Sequence, residues 1–308
     1  MKLQWRLAFM LTALMVLSVL ISACGNLDAS QPDTTSSSGA AKKMGNLTCV
    51  QANLQITGST ALQPLAKDVA ADYQQRCKGA NITVGGGGSS TGLKNAQDGS
   101  SQIGNSDIFA DKNIYPDLVD NQVAVVTFAI VINSDVKNIS TLSSRQLQDI
   151  YAGKTKNWRE LGGPDLPVVA VSRPAGSGTR VTFENYVLGQ KETISGNPVA
   201  NASGEVSTTV SQTAGSVSYI ASDFARKNNL HVVKIDGVDG TEANVVNNSY
   251  KFWSIEHMYT RGQATGLAQA YIDYMKSPAT ETFRAQQGFL DITRMNQEAL
   301  TAKTPKHS

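Results

Sequence analysis

Histidine is scarce in this 308-residue sequence: His231, His257 and His307 are the only imidazoles, and none stands at ligand spacing from a cysteine. No zinc-type cluster can be read from that pattern, and only His231 and His257 remain as bases for a serine nucleophile. An excess of charge is also missing. The chain has 27 Lys and Arg against 25 Asp and Glu, and two of the cations, Lys2 and Arg6, precede an acid-free apolar run at the N-terminus. The remainder is formally neutral, without the broad basic field that nucleic acid or an anionic membrane surface requires. An anion bound by such a chain is held by local dipoles and one or two well-placed cations. No internal repeat is visible, and no nucleotide loop. Gly153-Lys154-Thr155 ends like a P-loop, but Gln148 occupies the place of its first Gly. A helix C-cap with a solvated lysine is the reading it supports.

Residues 1–23 read as a signal peptide: a short basic start, an apolar run from Leu7 to Ile21, then Ile21-Ser22-Ala23-Cys24. The apolar residue, two small ones and cysteine resemble a bacterial lipoprotein signal. The resemblance implies cleavage before Cys24, lipid (diacylglycerol and palmitate) on Cys24, and an extracytoplasmic protein anchored to the cell membrane. An uncleaved anchor, or a secretory signal with an incidental Cys24, are the alternatives, although the run is near the lower limit for spanning a bilayer. Residues 24–46 are rich in Ser, Thr, Gly and Ala without apolar period, the composition of a flexible tether. Cys49 and Cys77 then remain, either bridged, as thiols in an exported protein tend to be, or as two buried thiols.

From Leu47 onward strand and helix signals alternate. Asn53–Thr57 has period two, and Leu62, Leu65, Ala66, Val69, Ala70 and Tyr73 follow at helical spacing, with Pro64 tolerated in the first turn. Asn81–Val84, a helix over Gly92–Asp98 and a strand over Gln102–Asn105 continue the series. Val123–Asn133 is too long and β-branched for one ordinary strand and is expected to pass from one lobe to another. Ser143 to Gln146 forms a capping box opening a helix through Tyr151. Strands at Val168–Val171, Ser216–Ile220, His231–Ile235 and Trp253–Met258 alternate with helices at Thr179–Leu188, Gly204–Gln212, Ser222–Lys227, Thr265–Met275 and Pro278–Gln287. Trp158 and Trp253 read as packing residues, and the tail after Ala302 as disordered. The pattern implies an α/β fold with mainly parallel sheets.

Three strand-to-helix turns share one makeup: Gly58-Ser59-Thr60, Gly85 to Gly92 with Ser89, Ser90 and Thr91 inside it, and Arg173-Pro174-Ala175-Gly176-Ser177-Gly178-Thr179. Gly lets backbone approach a ligand, hydroxyls donate hydrogen bonds, and helix N-termini with unpaired amides attract anions. Arg173 adds a planar fork suited to an oxyanion. Ligands of open α/β sheets bind beyond the carboxyl ends of the strands, where such turns lie. A fourth turn, Gly104-Asn105-Ser106-Asp107, contributes an acid.

These pieces, in this order, resemble the phosphate-binding proteins of the bacterial high-affinity phosphate ABC importer. The matching segments are Thr57 to Ala61, Gly88 to Gly92, Ile103 to Asp107 and Arg173 to Thr179; Ser216 to Tyr219 and Asn248 to Trp253 are weaker landmarks. The resemblance implies a two-lobed, type II periplasmic-binding-protein fold, with lobe I from 47–128 and 247–303, lobe II from 129–246, and the ligand at the hinge cleft. It implies a non-enzymatic, cofactor-free monomer that captures inorganic phosphate and delivers it to permease subunits, without nucleic acid or metal. The implied phosphate ligands are Ser59, Thr60, Ala61, Ser89, Asp107, Arg173, Ser177, Gly178 and Thr179, with Asp107 the acidic acceptor and Arg173 bonded both to Asp107 and to the ligand. The chain departs from the family in Ala61, where many relatives carry Phe, and in Lys251 and Phe252. Other oxyanions (sulfate, molybdate, tungstate) are the alternative ligands. Gly88 to Gly92 also fits a Gly-x-Ser-x-Gly nucleophile elbow, so a serine hydrolase using Ser90 and His257 is the alternative of another class.

Overall fold

The computed structural model describes residues 41–44 and 47–305. The signal peptide, Cys24 and most of the tether lie outside the described residues. Within the tether, Ala41–Met44 forms strand β1, antiparallel to β2 (Leu47–Val50). Ordered structure thus starts earlier than composition implies, because strand pairing needs only backbone donors and acceptors, not an apolar period.

The chain continues through β3 (Asn53–Gly58), α1 (Gln63–Arg76), β4 (Asn81–Gly87), α2 (Ser89–Asp98), β5 (Ile103–Ser106) and β6 (Leu118–Ile132). Then come β7 (Thr141–Leu142), α3 (Ser144–Tyr151), β8 (Val169–Ala170), α4 (Gly178–Phe183), α5 (Ser203–Gln212), β9 (Ser216–Ala221), α6 (Ser222–Lys227) and β10 (His231–Ile235). The last elements are α7 (Glu242–Val246), β11 (Trp253–Arg261), α8 (Gly266–Lys276), α9 (Glu281–Gln286), β12 (Phe289–Leu290) and α10 (Gln297–Lys303). The long helix expected over Thr179–Leu188 is α4 extended by a π turn, Glu184–Leu188.

The strands other than β1 and β2 form one ten-stranded sheet with the main path β4-β3-β5-β11-β6-β10-β7. β3 pairs in parallel with β4 and β5, as two consecutive βαβ units require. The expectation of mainly parallel pairing fails in the middle. β11 runs antiparallel to β5 and β6, and β6 runs antiparallel to β9 and β10, so the sheet is mixed. The reason is the course of β6: from Leu118 to Thr127 it pairs with β11, and from Phe128 to Ile132 with β9. One strand therefore serves two halves of the sheet, which explains its 15-residue length.

Apolar side chains fill both halves, and both tryptophans expected to pack are fully buried. Trp158 Nε1 donates to the Gly215 carbonyl at 2.8 Å, and Trp253 Nε1 to Asn248 Oδ1 at 3.0 Å. Cys49 and Cys77 form a disulfide that ties β2 to the end of α1. Nor is Lys303 part of a loose tail. It ends α10 nearly buried, its Nζ 3.2 Å from the centroid of the Tyr186 ring and bonded to the Lys251 carbonyl at 2.7 Å. The apolar stem, its packing on the Tyr186 ring and the hydrogen bond to Lys251 anchor it. Among the described residues, no helix is long and apolar enough to cross a membrane.

Candidate anion-binding site

The four turns singled out in the sequence converge where β3, β4 and β5 end and α4 begins. Gly58, at φ +133°, lies so close to β5 that a Cβ there would sit 2.1 Å from the Asn105 carbonyl oxygen. The Ser59 amide donates to that same carbonyl at 2.9 Å. Ser59 Oγ in turn accepts the amides of Ala61 at 3.1 Å and Leu62 at 3.0 Å, fixing the turn that leads into α1. The Ala61 amide, assigned to the ligand by resemblance, is thus already engaged with Ser59. Thr60 faces the other half of the sheet: its Oγ1 lies 3.1 Å from Ser203 Oγ and accepts from Arg173 Nη2 at 3.3 Å.

The Gly-rich second turn closes against the Arg173–Thr179 turn. The Ser90 amide donates to the Gly176 carbonyl at 3.1 Å. Ser89 is fully buried, and its Oγ accepts the Asp107 amide at 2.9 Å. Asp107, just past β5, accepts a hydrogen bond on Oδ2 from Thr179 Oγ1 at 3.1 Å. Ser177 caps α4, its Oγ accepting the Arg180 amide at 3.3 Å. The amides of Gly178 and Thr179, the first two of α4, have no acceptor within the helix. Gly178 is glycine by necessity here, because a Cβ would lie 2.2 Å from Ser89 Oγ.

Arg173 is 1% exposed, although it is the one cation of the four turns. Its Nε donates to the Ala200 carbonyl at 2.8 Å, and the Arg173 carbonyl accepts from Arg180 Nη1 at 2.8 Å. Arg180 is held in turn by Glu184 at 2.9 Å, so an ion pair braces the turn. The direct Arg173–Asp107 bond implied by resemblance is absent. Arg173 spends Nε and Nη2 on Ala200 and Thr60, and acts on Asp107 only through its charge. Burial pushes the Asp107 carboxyl above its ordinary range, against the opposing pull of Ser59, Thr179 and Arg173. Burial likewise lowers the Arg173 guanidinium from a starting value so high that it stays charged.

Arg173 Nη1 and Asp107 Oδ1 have no protein partner and are sealed from the surface, as are both side-chain polar atoms of Asn105 in the fourth turn. A buried polar group without a partner costs roughly 1–3 kcal/mol, more when charged. The Arg173–Asp107 pair fits a small ligand bearing both an anionic oxygen and an O–H. A cavity of about 170 Å³ lined by Asp107, Thr182, Tyr186, Ser254 and Lys303 adjoins the cradle. A larger one, about 500 Å³ between Leu47, Arg76 and Tyr274, touches none of these residues.

The structure adds Ser203, Ser254, Asn105 and Glu256 to the neighbourhood. Ser254 Oγ donates to the Asp107 carbonyl, and the side chains of Asn105 and Glu256 are fully buried. Glu256 had a signal, a lone acid inside the apolar strand Trp253–Met258; Ser203, an ordinary serine at a helix start, had none. The hydrolase constellation does not assemble. Ser90 is exposed, whereas His257 is buried with Nδ1 2.8 Å from Asp120 Oδ1 and its ring against Phe109 and Tyr259, and the two share no hydrogen bond.

A PBP superfamily domain model matches residues 33–279. The phosphate-binding protein PstS of Bacillus subtilis is 37% identical over 282 residues, covering 90% of this chain and 91% of that protein. PstS of Staphylococcus epidermidis is 25% identical over 289 residues, covering 89% and 84%. Among solved structures, a phosphate-bound protein of Clostridium perfringens, described as a phosphate ABC transporter substrate-binding protein, superposes with a TM-score of 0.74 at 29% identity, covering 78% of this chain and 100% of its own. An ABC-type phosphate transport receptor of Vibrio cholerae gives 0.64 at 23% identity, over 77% of this chain and 99% of its own, a likeness of fold. With a cradle of turns at strand ends and a strand shared between two halves, the chain belongs to the PBP superfamily, in the group that includes PstS of Bacillus subtilis.

Proposed function

We propose that this protein captures inorganic phosphate between two lobes, outside the cytoplasm, and delivers it to the permease subunits of an ABC importer. The observation that carries the reading is the pairing, in one sealed cradle, of an unpartnered guanidinium N–H on Arg173 with an unpartnered carboxylate oxygen on Asp107. Phosphate near neutrality has oxygens for the first and a proton for the second. Sulfate has no proton, so it would leave Asp107 unpaired and facing like charge. The remaining contacts come from the Ser89 and Ser177 hydroxyls, Thr60, and the first amides of α4 at Gly178 and Thr179. Ser59 and Ala61 serve the site by shaping its first turn.

Lobe I comprises 47–128 and 247–303, and lobe II 129–246. Contacts such as Ser90 to Gly176 and Thr179 to Asp107 join the two, so binding shifts the population toward the closed form. Cys24 carries the lipid that holds this monomer at the cell membrane, and the chain performs no catalysis. Calorimetric titration of the purified protein with phosphate, sulfate and tungstate tests the reading. Phosphate binding with sulfate much weaker is the expected result. Sulfate or tungstate binding as tightly as phosphate would assign the cradle to another oxyanion.

A further inference from the structure

Glu256 is the only acid of β11, and it is fully buried. Neither of its carboxyl oxygens meets an N–H or a hydroxyl of the protein. Strand alternation puts it on the face that carries Ser254, whose hydroxyl donates to the Asp107 carbonyl. Met258, on that same face, pairs with Asn105 on β5, two residues before Asp107. Carried one step past His257 and Ser106, the β5–β11 register sets Glu256 opposite Asp107, so the Glu256 carboxyl stands beside the Asp107 side chain. The other groups around it are uncharged or turned away. β6 presents Ala124 opposite, β5 presents Asn105, His257 turns to Asp120, and Arg173 acts on Asp107.

Two carboxylates this close in a site closed to water cannot both be ionised, so the pair retains a proton. Glu256 is the more strongly affected, raised well above the carboxylate range by burial first and by Asp107 second. A proton on Asp107 instead would turn the acceptor into a donor and erase its preference for a protonated ligand. We propose that Glu256 is a specificity-determining positioning residue, which donates its O–H to Asp107 and so holds Asp107 as a carboxylate that can only accept from the ligand. The inference rests on the phosphate reading above and deepens it: the acceptor of the phosphate proton is a carboxyl–carboxylate pair with a single negative charge.

The test compares wild type with Glu256→Gln, which keeps a donor that cannot ionise, and Glu256→Met, which keeps the volume without a donor. Phosphate and sulfate affinities are measured for each from acid to alkaline pH. The expected phosphate-to-sulfate ratio is within about threefold of wild type in the Gln variant and lower by roughly tenfold or more in the Met variant, the effect of one lost hydrogen bond to a charged group. Wild-type phosphate binding weakens at alkaline pH as Glu256 ionises, and the Gln variant lacks that limb. A protonated-carboxyl C=O band in the infrared spectrum of wild type should vanish in the Gln variant, a readout that stands even if the Met variant does not fold. An unchanged ratio in a folded Met variant, an alkaline limb persisting in the Gln variant, or a band common to wild type and Gln overturns the inference. Failure of wild type to bind phosphate would instead overturn the proposed function.

Discussion

Thr179 Oγ1 donates to Asp107 Oδ2 at 3.1 Å, joining the start of α4 to the end of β5 across 72 residues of sequence. The bond consumes one oxygen of the carboxylate and leaves the other without a protein partner. It also fixes how closely α4 approaches, which is why the residue before Thr179 has no room for a side chain.

Gly178→Ala should therefore weaken phosphate binding without unfolding the protein. Its Cβ would stand 2.2 Å from Ser89 Oγ and 2.8 Å from the Asp107 Cβ. Ser89 cannot simply rotate away, because its Oγ accepts the Asp107 amide. Overpacking of this kind costs about 1–3 kcal/mol, or roughly 5- to 150-fold in affinity. Calorimetry, with circular dichroism to confirm the fold, is the check. Wild-type affinity in the variant would place the α4 turn away from the ligand.

Arg173→Ala should be more severe. Loss of one partner of a desolvated charged contact costs about 2–5 kcal/mol, or roughly 30- to 5000-fold. Arg173→Lys separates charge from geometry. One ammonium cannot reach the Ala200 carbonyl, Thr60 and the ligand together as the fork does. Affinity between those of wild type and the Ala variant is the expected outcome, read by the same titration.

The disulfide contributes stability and nothing to the cradle. Cys49 and Cys77 are 28 residues apart, and closing such a loop is worth about 3.5 kcal/mol in the chain-entropy model. Replacing both cysteines by serine should lower the melting temperature by roughly 7–14 °C for a domain of this size. Tyr73, whose hydroxyl donates to the Thr48 carbonyl at 2.8 Å, still holds β2 on α1. Phosphate affinity at 25 °C should accordingly not change.

The buried acids also set a pH dependence of folding. Glu256 is raised above its ordinary 4.5 in the folded state, so the native protein holds a proton that the unfolded chain has released. Stability from this group is complete below about 4.5 and declines as pH rises through the folded-state value. Asp107, also raised, works in the same direction. In phosphate-free protein, Glu256→Gln should gain on wild type in melting temperature as pH increases from 5 toward 9. A constant difference over that range would mean that Glu256 titrates normally.

Much of the cradle was legible because its parts are local. A Gly followed by hydroxyl residues at the end of a strand announces a turn that opens a helix, and all three such turns meet, with the Gly104–Asp107 turn beside them. What sequence could not supply was the partner of each polar atom. Ser59 Oγ and the Ala61 amide bond to each other, and the Arg173 fork is shared between Ala200 and Thr60. Those choices depend on residues brought in from Ser203 and Ala200, far along the chain. The sheet was misjudged for a related reason. Alternating strands and helices imply parallel pairing, but the directions of β6 and β11 follow from the two-half architecture, which local period does not encode. Glu256 was visible as an acid in an apolar strand, and its meaning appears only once β5 places Asp107 beside it.

Asp107→Asn separates a phosphate site from a generic oxyanion site. In wild type, Asp107 Oδ2 is engaged by Thr179, and on the proposed reading the carboxylate requires a proton on the ligand. The amide removes the repulsion toward sulfate and offers N–H donors. Phosphate, by contrast, loses the acceptor for its proton. The phosphate-to-sulfate affinity ratio should fall by roughly 5- to 150-fold, corresponding to about 1–3 kcal/mol, measured by competition titration at neutral pH. The fold should hold, because Asn retains an oxygen for Thr179 and the backbone amide that donates to Ser89. If the ratio does not move, Asp107 is a structural residue of the turn. Selectivity would then have to come from the geometry of Arg173 and the α4 amides, which contact oxygens and do not sense whether one of them carries a proton.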